Sequence, residues 1–330
     1  MTRIVLLLGG AALLIVLMWQ LGVSAIVDAL ARIGWFFVVV VLLGATHQAT
    51  RALALHACVL RPGVIRYRDA LAIRLSGEAV QSLTLTGPVL AEPTKAWLLE
   101  TRGLTLKEGF AATLTEYLIY TFVTAAMSIA GLLYVLANIG VSTTVAGIAS
   151  GIIGGCVVFL LISAVAIARR FYLIGTIIAV LARLGILRGR LTPHMAWINQ
   201  MEDLLLVVLR DSPVRFLTIA AMETAAQVVL VLELFWLLRA LDVIVRAASA
   251  FAIEASIKFF DFAFLLVPLQ LGVSEGAYTE IFRVMGLPLA AGFAVAFVRR
   301  LRSLTIASVG LAFLALATRH RRQRVAPDTR

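Results

Sequence analysis

Between residues 145 and 168 the chain runs for 24 positions without one charged side chain. A helix rises about 1.5 Å per residue, so this stretch outreaches the roughly 30 Å hydrocarbon core of a bilayer. A helix that is apolar all round belongs either in the interior of a large protein or in lipid. Composition decides for lipid. Of 330 residues, 62% are apolar and only 14% charged, with a mean hydropathy of +1.01, whereas soluble domains carry about 25% charged residues. Alternating ten-residue segments that would build an outer-membrane barrel are missing, so helices do the spanning.

Six spans are expected, over residues 4–22, 34–60, 109–137, 145–168, 216–238 and 287–318. The first lacks the short apolar core and small-residue cleavage site of a signal peptide and reads as a retained helix. A short amphipathic link, 24–32, follows it. The second span carries His47, Gln48, Thr50 and Arg51 near its middle and ends at Arg61-Pro62-Gly63. In the fourth, Gly147, Gly151 and Gly155 recur at every fourth position, which predicts a surface for close helix packing. Residues 171–184 are apolar but short. With Arg183, Arg188, Arg190 and His194, and an amphipathic helix over 195–209, they read as an interfacial connector.

The charge balance is 29 Lys and Arg against 18 Asp and Glu, or +11. In a membrane chain such an excess marks cytoplasmic loops rather than nucleic-acid binding. With the amino terminus inside, Arg61, Arg66, Arg68, Lys95, Arg102, Lys107, Arg169, Arg170, the connector and the tail 319–330 all fall on the cytoplasmic side. The expectation is a multi-pass protein of the bacterial inner membrane with both termini cytoplasmic. Cys58 and Cys156 lie in apolar stretches and read as packing residues, with no disulfide and no metal site.

Two uncharged runs of 13 residues, 79–91 and 262–274, are too short to cross and contain or adjoin helix breakers, Gly87 and Pro88 in the first with Pro93 just beyond it, and Pro268 and Gly272 in the second with Gly276 just beyond it. Broken helices at membrane depth survive only where protein or a wet cavity satisfies their backbone, which describes re-entrant hairpins. The two runs also match. An offset of 183 carries Glu78 to Asp261 and Glu92 to Glu275, and lays Gly103-Leu104-Thr105-Leu106-Lys107-Glu108-Gly109-Phe110-Ala111 on Gly286-Leu287-Pro288-Leu289-Ala290-Ala291-Gly292-Phe293-Ala294 with six identities. The fold expected is therefore all-α: six transmembrane helices and two hairpins in an inverted repeat. Its first half is 34–137 and its second 216–318, with the fourth span and connector, 138–215, between them. Paired broken helices are a pointer to a transporter's midplane site.

Gly77-Glu78-Ala79-Val80-Gln81-Ser82-Leu83-Thr84, Gly87-Pro88, Glu92-Pro93-Thr94-Lys95-Ala96-Trp97-Leu98-Leu99, Leu271-Gly272-Val273-Ser274-Glu275-Gly276 and Gly286-Leu287-Pro288 together resemble the transmembrane region of the lysylphosphatidylglycerol synthase/flippase family. That family also includes stand-alone membrane proteins, some associated with hopanoid biosynthesis. In its two-part members this region is the lipid flippase and a soluble domain transfers the aminoacyl group. Only residues 319–330 follow the last span here, so the resemblance implies lipid movement without aminoacylation.

Charges inside the spans are the site candidates, because an ionisable group at the bilayer centre costs a few kcal/mol or more unless paired or wetted. Glu116 lies two turns into the third span, and its counterpart at the 183 offset is Arg299, followed by Arg300 and Arg302. Either these groups face one cavity, where arginine can hold a lipid phosphate bidentately, or Glu116 and Arg299 form an ion pair joining the two halves. Glu78, Glu92, Asp261 and Glu275 flank the hairpins, as cavity residues or as helix caps. With Lys95 they complete the headgroup set. His47, Arg51, Glu223 and Glu233 are the candidates for proton coupling, and Glu254, Lys258 and Asp261 are spaced to pair on one helix face.

Sequence signatures of enzymes are missing: no His-Glu-x-x-His helix, Gly-x-Ser-x-Gly elbow, Walker loop or Cys/His cluster occurs. No catalytic residue and no cofactor is expected, although an intramembrane transferase stays open. The function expected is a flippase that carries a polar headgroup through a midplane cavity. The partner is a membrane lipid, whether anionic phospholipid, aminoacyl-lipid or hopanoid. The alternative is a non-transporting subunit that presents lipid to a modifying or export machine, and a homo-oligomer or a biosynthetic partner fits either.

Overall fold

The computed structural model describes residues 31, 33–84, 87–172, 175–176, 180, 195–263 and 272–325. The span expected at 4–22, most of the 171–194 connector and the tip of the second hairpin lie outside these residues. Among the described residues the secondary structure is ten helices and no strand: α1 (Phe36–Cys58), α2 (Tyr67–Leu83), α3 (Pro88–Glu100), α4 (Leu106–Asn138), α5 (Thr143–Ala168), α6 (Met195–Leu206, continued by a π turn, Val207–Asp211), α7 (Pro213–Ala240), α8 (Ala247–Ala263), α9 (Val273–Val284) and α10 (Leu289–Val325). Five are long and apolar enough to cross a membrane: α1, α4, α5, α7 and, in α10, Leu289–Ala317. They coincide with five expected spans. The protein is a polytopic, all-α membrane protein.

Local chemistry sets the boundaries. At the start of α4, Thr105 accepts from the Glu108 amide while the Glu108 carboxylate accepts from the Thr105 N–H at 2.7 Å, a reciprocal cap that satisfies two amides the helix cannot. Pro88 opens α3 and Pro213 opens α7, where a missing N–H costs nothing. Gly103 and Gly286, matched at the 183 offset, both take positive φ (101° and 66°). Each ends a hairpin and turns the chain into a long helix, α4 or α10.

The offset carries α1 to 219–241, α2 to 250–266, α3 to 271–283 and α4 to 289–321, close to α7, α8, α9 and α10. Packing partners exchange in the same way. Helix α2 lies against α10 and α8 against α4, while α3 lies against α4 and α9 against α10. A methyl at Gly109 would come within 2.6 Å of the Ala96 carbonyl oxygen, and one at Gly292 within 2.9 Å of the Phe282 ring. At equivalent places, then, the long helix presses its backbone on the second arm of its hairpin, as small residues allow in lipid.

Helices α1 and α7 run antiparallel, since Arg51 reaches Glu223 and His47 reaches the Ala226 carbonyl, while Val40 shares a cluster with Leu234 and Leu237. The hairpins open at opposite ends of this pair. Asp69, at the start of α2, pairs with Arg102, just past α3, so the first hairpin leaves where it entered, beside the end of α1. Around the second, Val243, Val245, Met285 and Leu287 meet Ile33 and Phe36 at the start of α1. One apolar cluster fills each end of the bundle, and the charged groups lie between.

Helix α5 stands at the periphery. Its Gly147, Gly151 and Gly155 meet no described atom within 4 Å of where a methyl would stand. The packing expected of this stripe is therefore not made within the described chain, because α5 leans on α4 through other positions, Phe159 on Phe122 among them. The amphipathic helix expected at 195–209 is α6 and its π turn, with Ile198, Met201 and Leu205 buried; Trp197 meets the Phe110 ring of α4.

Candidate functional site

Two nests of buried charge occupy the middle of the bundle. In the first, Glu116 of α4 is fully buried and accepts from three cations. Arg51 Nη2 of α1 donates to Oε1 at 2.6 Å, Arg74 Nη1 of α2 to the same oxygen at 3.3 Å, and Lys95 Nζ of α3 to Oε2 at 2.9 Å. Lys95 also pairs with Glu92 at 2.8 Å. Arg74 donates to Gln48 Oε1 at 3.1 Å and lies 3.6 Å from Glu78. The Arg51 guanidinium stacks over the Tyr120 ring and reaches across to Glu223 of α7 at 3.1 Å.

The second nest is the first with its signs reversed. Arg299 of α10 donates through Nε to Glu233 of α7 at 3.0 Å and through Nη1 to Glu254 of α8 at 2.5 Å and to the Tyr278 hydroxyl of α9. Its Nη2 donates to the Leu230 carbonyl at 2.9 Å. Arg302 completes Glu233, Lys258 holds Glu254 at 3.2 Å, and Arg300 holds Glu275 at 3.0 Å. In both halves a central ion on the last helix is grasped by one group each from the first helix, the first hairpin arm and the second. A carboxylate among cations at Glu116 becomes a guanidinium among acceptors at Arg299. Removing one partner of such a set strands the others in a low dielectric and costs about 3–5 kcal/mol.

This geometry corrects one expectation. Glu116 and Arg299 do not pair: each is held by its own partners, and α1 is joined to α7 instead by Arg51 with Glu223. Lys95, expected with the cytoplasmic loop charges, is 1% exposed and lies inside the first nest. The pair Glu254 with Lys258 forms. The side chain of Asp261 lies outside the described residues, and with it the expected contact to Lys258. Arg74, Gln48 and Tyr278 belong to the nests without having been candidates. For Arg74 a signal existed in the spacing of Arg74 and Glu78, four apart on a helix that also carries apolar residues all round its buried face.

Helix α7 links the nests. Glu223, Gln227, Leu230 and Glu233 share its inner side, and Gln227, 2% exposed, has no hydrogen-bond partner on either amide atom among the described residues. One turn of α1 lies opposite, with His47 Nδ1 donating to the Ala226 carbonyl at 3.0 Å. The stem of Arg302 crosses Gly44, where a methyl would fall 2.5 Å from its Cδ. Chemically, three N–H cations converging on one carboxylate form a receptor for an oxyanion. Among the described residues no three His, Cys, Asp or Glu side chains gather to hold a metal ion.

Residues 3–310 match the family model described as the lysylphosphatidylglycerol synthase TM region. No curated protein and no solved structure matches the chain. The family match covers most of the sequence, and the chain belongs to that family.

Proposed function

We propose that this member of the lysylphosphatidylglycerol synthase transmembrane-region family moves a polar lipid headgroup between leaflets and catalyses no group transfer. The family supports a role with membrane lipid. The observation that carries the finer reading is the pair of sign-reversed charge nests, each built on a broken-helix hairpin. In lipid, ionisable groups cost too much to keep without a task, and they mark substrate or ion pathways. The nests provide cations for a phosphate and carboxylates for an amine, so a headgroup of either sign finds partners. Antiparallel α1 and α7, with hairpins opening at their opposite ends, support an inverted arrangement in which each nest is approached from its own face of the bilayer. The acyl chains stay in lipid while the headgroup exchanges with Glu116 or Arg299 for partners.

The site residues proposed are Glu78, Glu92, Lys95, Glu116, Asp261, Glu275, Arg299, Arg300 and Arg302, with Arg74, Glu233 and Glu254. Localisation in a bacterial inner membrane with the Arg61, Arg102 and Arg170 face cytoplasmic follows the charge bias. Purified protein in liposomes carrying a leaflet-specific reporter on anionic, zwitterionic and aminoacyl lipids tests the reading. Equilibration of at least one headgroup, lost in Arg299→Gln, is expected. An unchanged leaflet distribution for every lipid points instead to a subunit that presents lipid to another machine.

A further inference from the structure

Glu223 is the least satisfied charge in the first nest. Among the described residues its ion-pair partner is Arg51, which lies nearer Glu116, at 2.6 Å against 3.1 Å. Its Oε2 lies 3.1 Å from Arg51 Nε but receives no aligned hydrogen bond, the Nε–H being directed at Oε1, although the residue is fully buried. The carboxyl groups of Glu223 and Glu116 share that one guanidinium, Glu116 through Nη2 and Glu223 through Nε, and neither carboxylate can supply a proton to the other. One turn further along α7, the buried amide of Gln227 is also without partners.

Charge counting points the same way. Arg51, Arg74 and Lys95 supply three positive charges to four carboxylates, Glu78, Glu92, Glu116 and Glu223. Glu78 and Glu92 stand at the rim, with side chains 15% and 7% exposed, whereas Glu116 and Glu223 are at 0%. The remaining groups around the pair leave it without a donor. His47 spends Nδ1 on the Ala226 carbonyl, Tyr120 presents its ring face to Arg51, and Cys58 adds only a weak thiol donor. Glu92 Oε2, nearer the rim, also lacks a hydrogen bond, but a nest with one surplus negative charge is completed by a single proton, and the fully buried Glu223 is where it is needed most.

We propose that Glu116 and Glu223 share one exchangeable proton, carried by Glu223, and that headgroup movement is coupled to it. The proton sits on Glu223 Oε2 and is donated to Glu116; Gln227 Oε1 is its next acceptor along α7. An anionic headgroup that draws Arg51 away from the two carboxylates strengthens their hold on that proton, so the proton stays bound while the anion occupies the nest and exchanges once Arg51 returns. The coupling rests on the translocation proposed above, whereas the shared proton does not.

Infrared difference spectroscopy of the purified protein, with hydrogen–deuterium exchange, reads the protonated-carboxyl band directly. At neutral pH the native protein is expected to show the band of a buried, protonated glutamate. Glu223→Gln should remove it and Glu223→Asp should shift it to the aspartate position. No such band in the folded native protein, or a band indifferent to both substitutions, overturns the proposal. Should Glu223→Gln fail to fold, Glu223→Asp decides alone: a shift supports the assignment, and an unmoved band refutes it. In liposomes under an imposed pH gradient, the native flipping rate should change severalfold with the sign of the gradient. A rate indifferent to the gradient overturns the coupling and leaves the shared proton standing. A persistent carboxyl band in a protein that moves no lipid would sink the translocation reading alone.

Discussion

A carboxylate at 0% exposure inside a membrane bundle is tolerable only with its counter-charges in place, and Glu116 has three. Glu116→Gln keeps the shape but leaves Arg51, Arg74 and Lys95 facing a neutral amide. The expected loss is about 3–5 kcal/mol, seen as a lowered unfolding midpoint in detergent. Gln227→Leu should behave in the opposite way. Because the amide it removes is buried with no partner, stability should hold or rise by about 1 kcal/mol. The double variant Glu116→Arg with Arg299→Glu brings like charges together in both nests. It should be less stable than either single variant in the same thermal assay, since the two residues never meet. At this scale the sequence was only partly readable. Glu116, Arg299 and the hairpin carboxylates stand out because charge within apolar text is conspicuous. Arg74 does not, because it sits among other polar residues and its burial comes from helices distant in the chain.

At the scale of elements, the hairpins depend on two glycines. A methyl at Gly109 meets a backbone oxygen of α3 at 2.6 Å, and backbone cannot swing aside as a side chain can. Gly109→Ala should therefore cost about 1–3 kcal/mol, the usual price of overpacking, and Gly292→Ala should cost less, since the Phe282 ring can tilt. Gly147→Ala on exposed α5 is the control: with nothing described nearby, helix propensity alone should leave the midpoint unchanged or slightly raised. Thermal unfolding of the three variants side by side checks the ranking. Elements were the most legible level. Span length depends only on an unbroken run of apolar residues, so five spans appear where composition places them, and Gly87 and Pro88 mark the turn of the first hairpin, whereas Pro93, expected as a breaker, lies inside α3. The glycine stripe of α5 misled for a physical reason: small residues permit close packing but do not say which helix, if any, takes the place.

At the scale of the whole molecule, residues 36–138 and 213–325 follow a similar helix order and each hold a central ion in the same way, with the charge reversed. That reversal explains why the offset match was visible at Glu78 and Glu92 and yet paired Glu116 with Arg299. Sequence comparison scores such a pair as a mismatch, whereas the structure shows equivalent positions surrounded by complementary shells. The antiparallel α1 and α7 follow from chain order only once the helices are packed, since no residue pattern announces which spans touch. Their shared polar face is what joins one half's nest to the other's.

The central claim is that the two nests are approached from opposite faces of the bilayer, and surface labelling tests it most directly. In a background of Cys58→Ser and Cys156→Ser, single cysteines are placed at Pro62→Cys, beside the open end of the first hairpin, and at Ile244→Cys, beside that of the second; Ile244 is 84% exposed. A membrane-impermeant maleimide is applied to sealed vesicles of known orientation. Each orientation is expected to label one site and spare the other, with the pattern reversed in inverted vesicles. Labelling of both sites from the same side would contradict the claim.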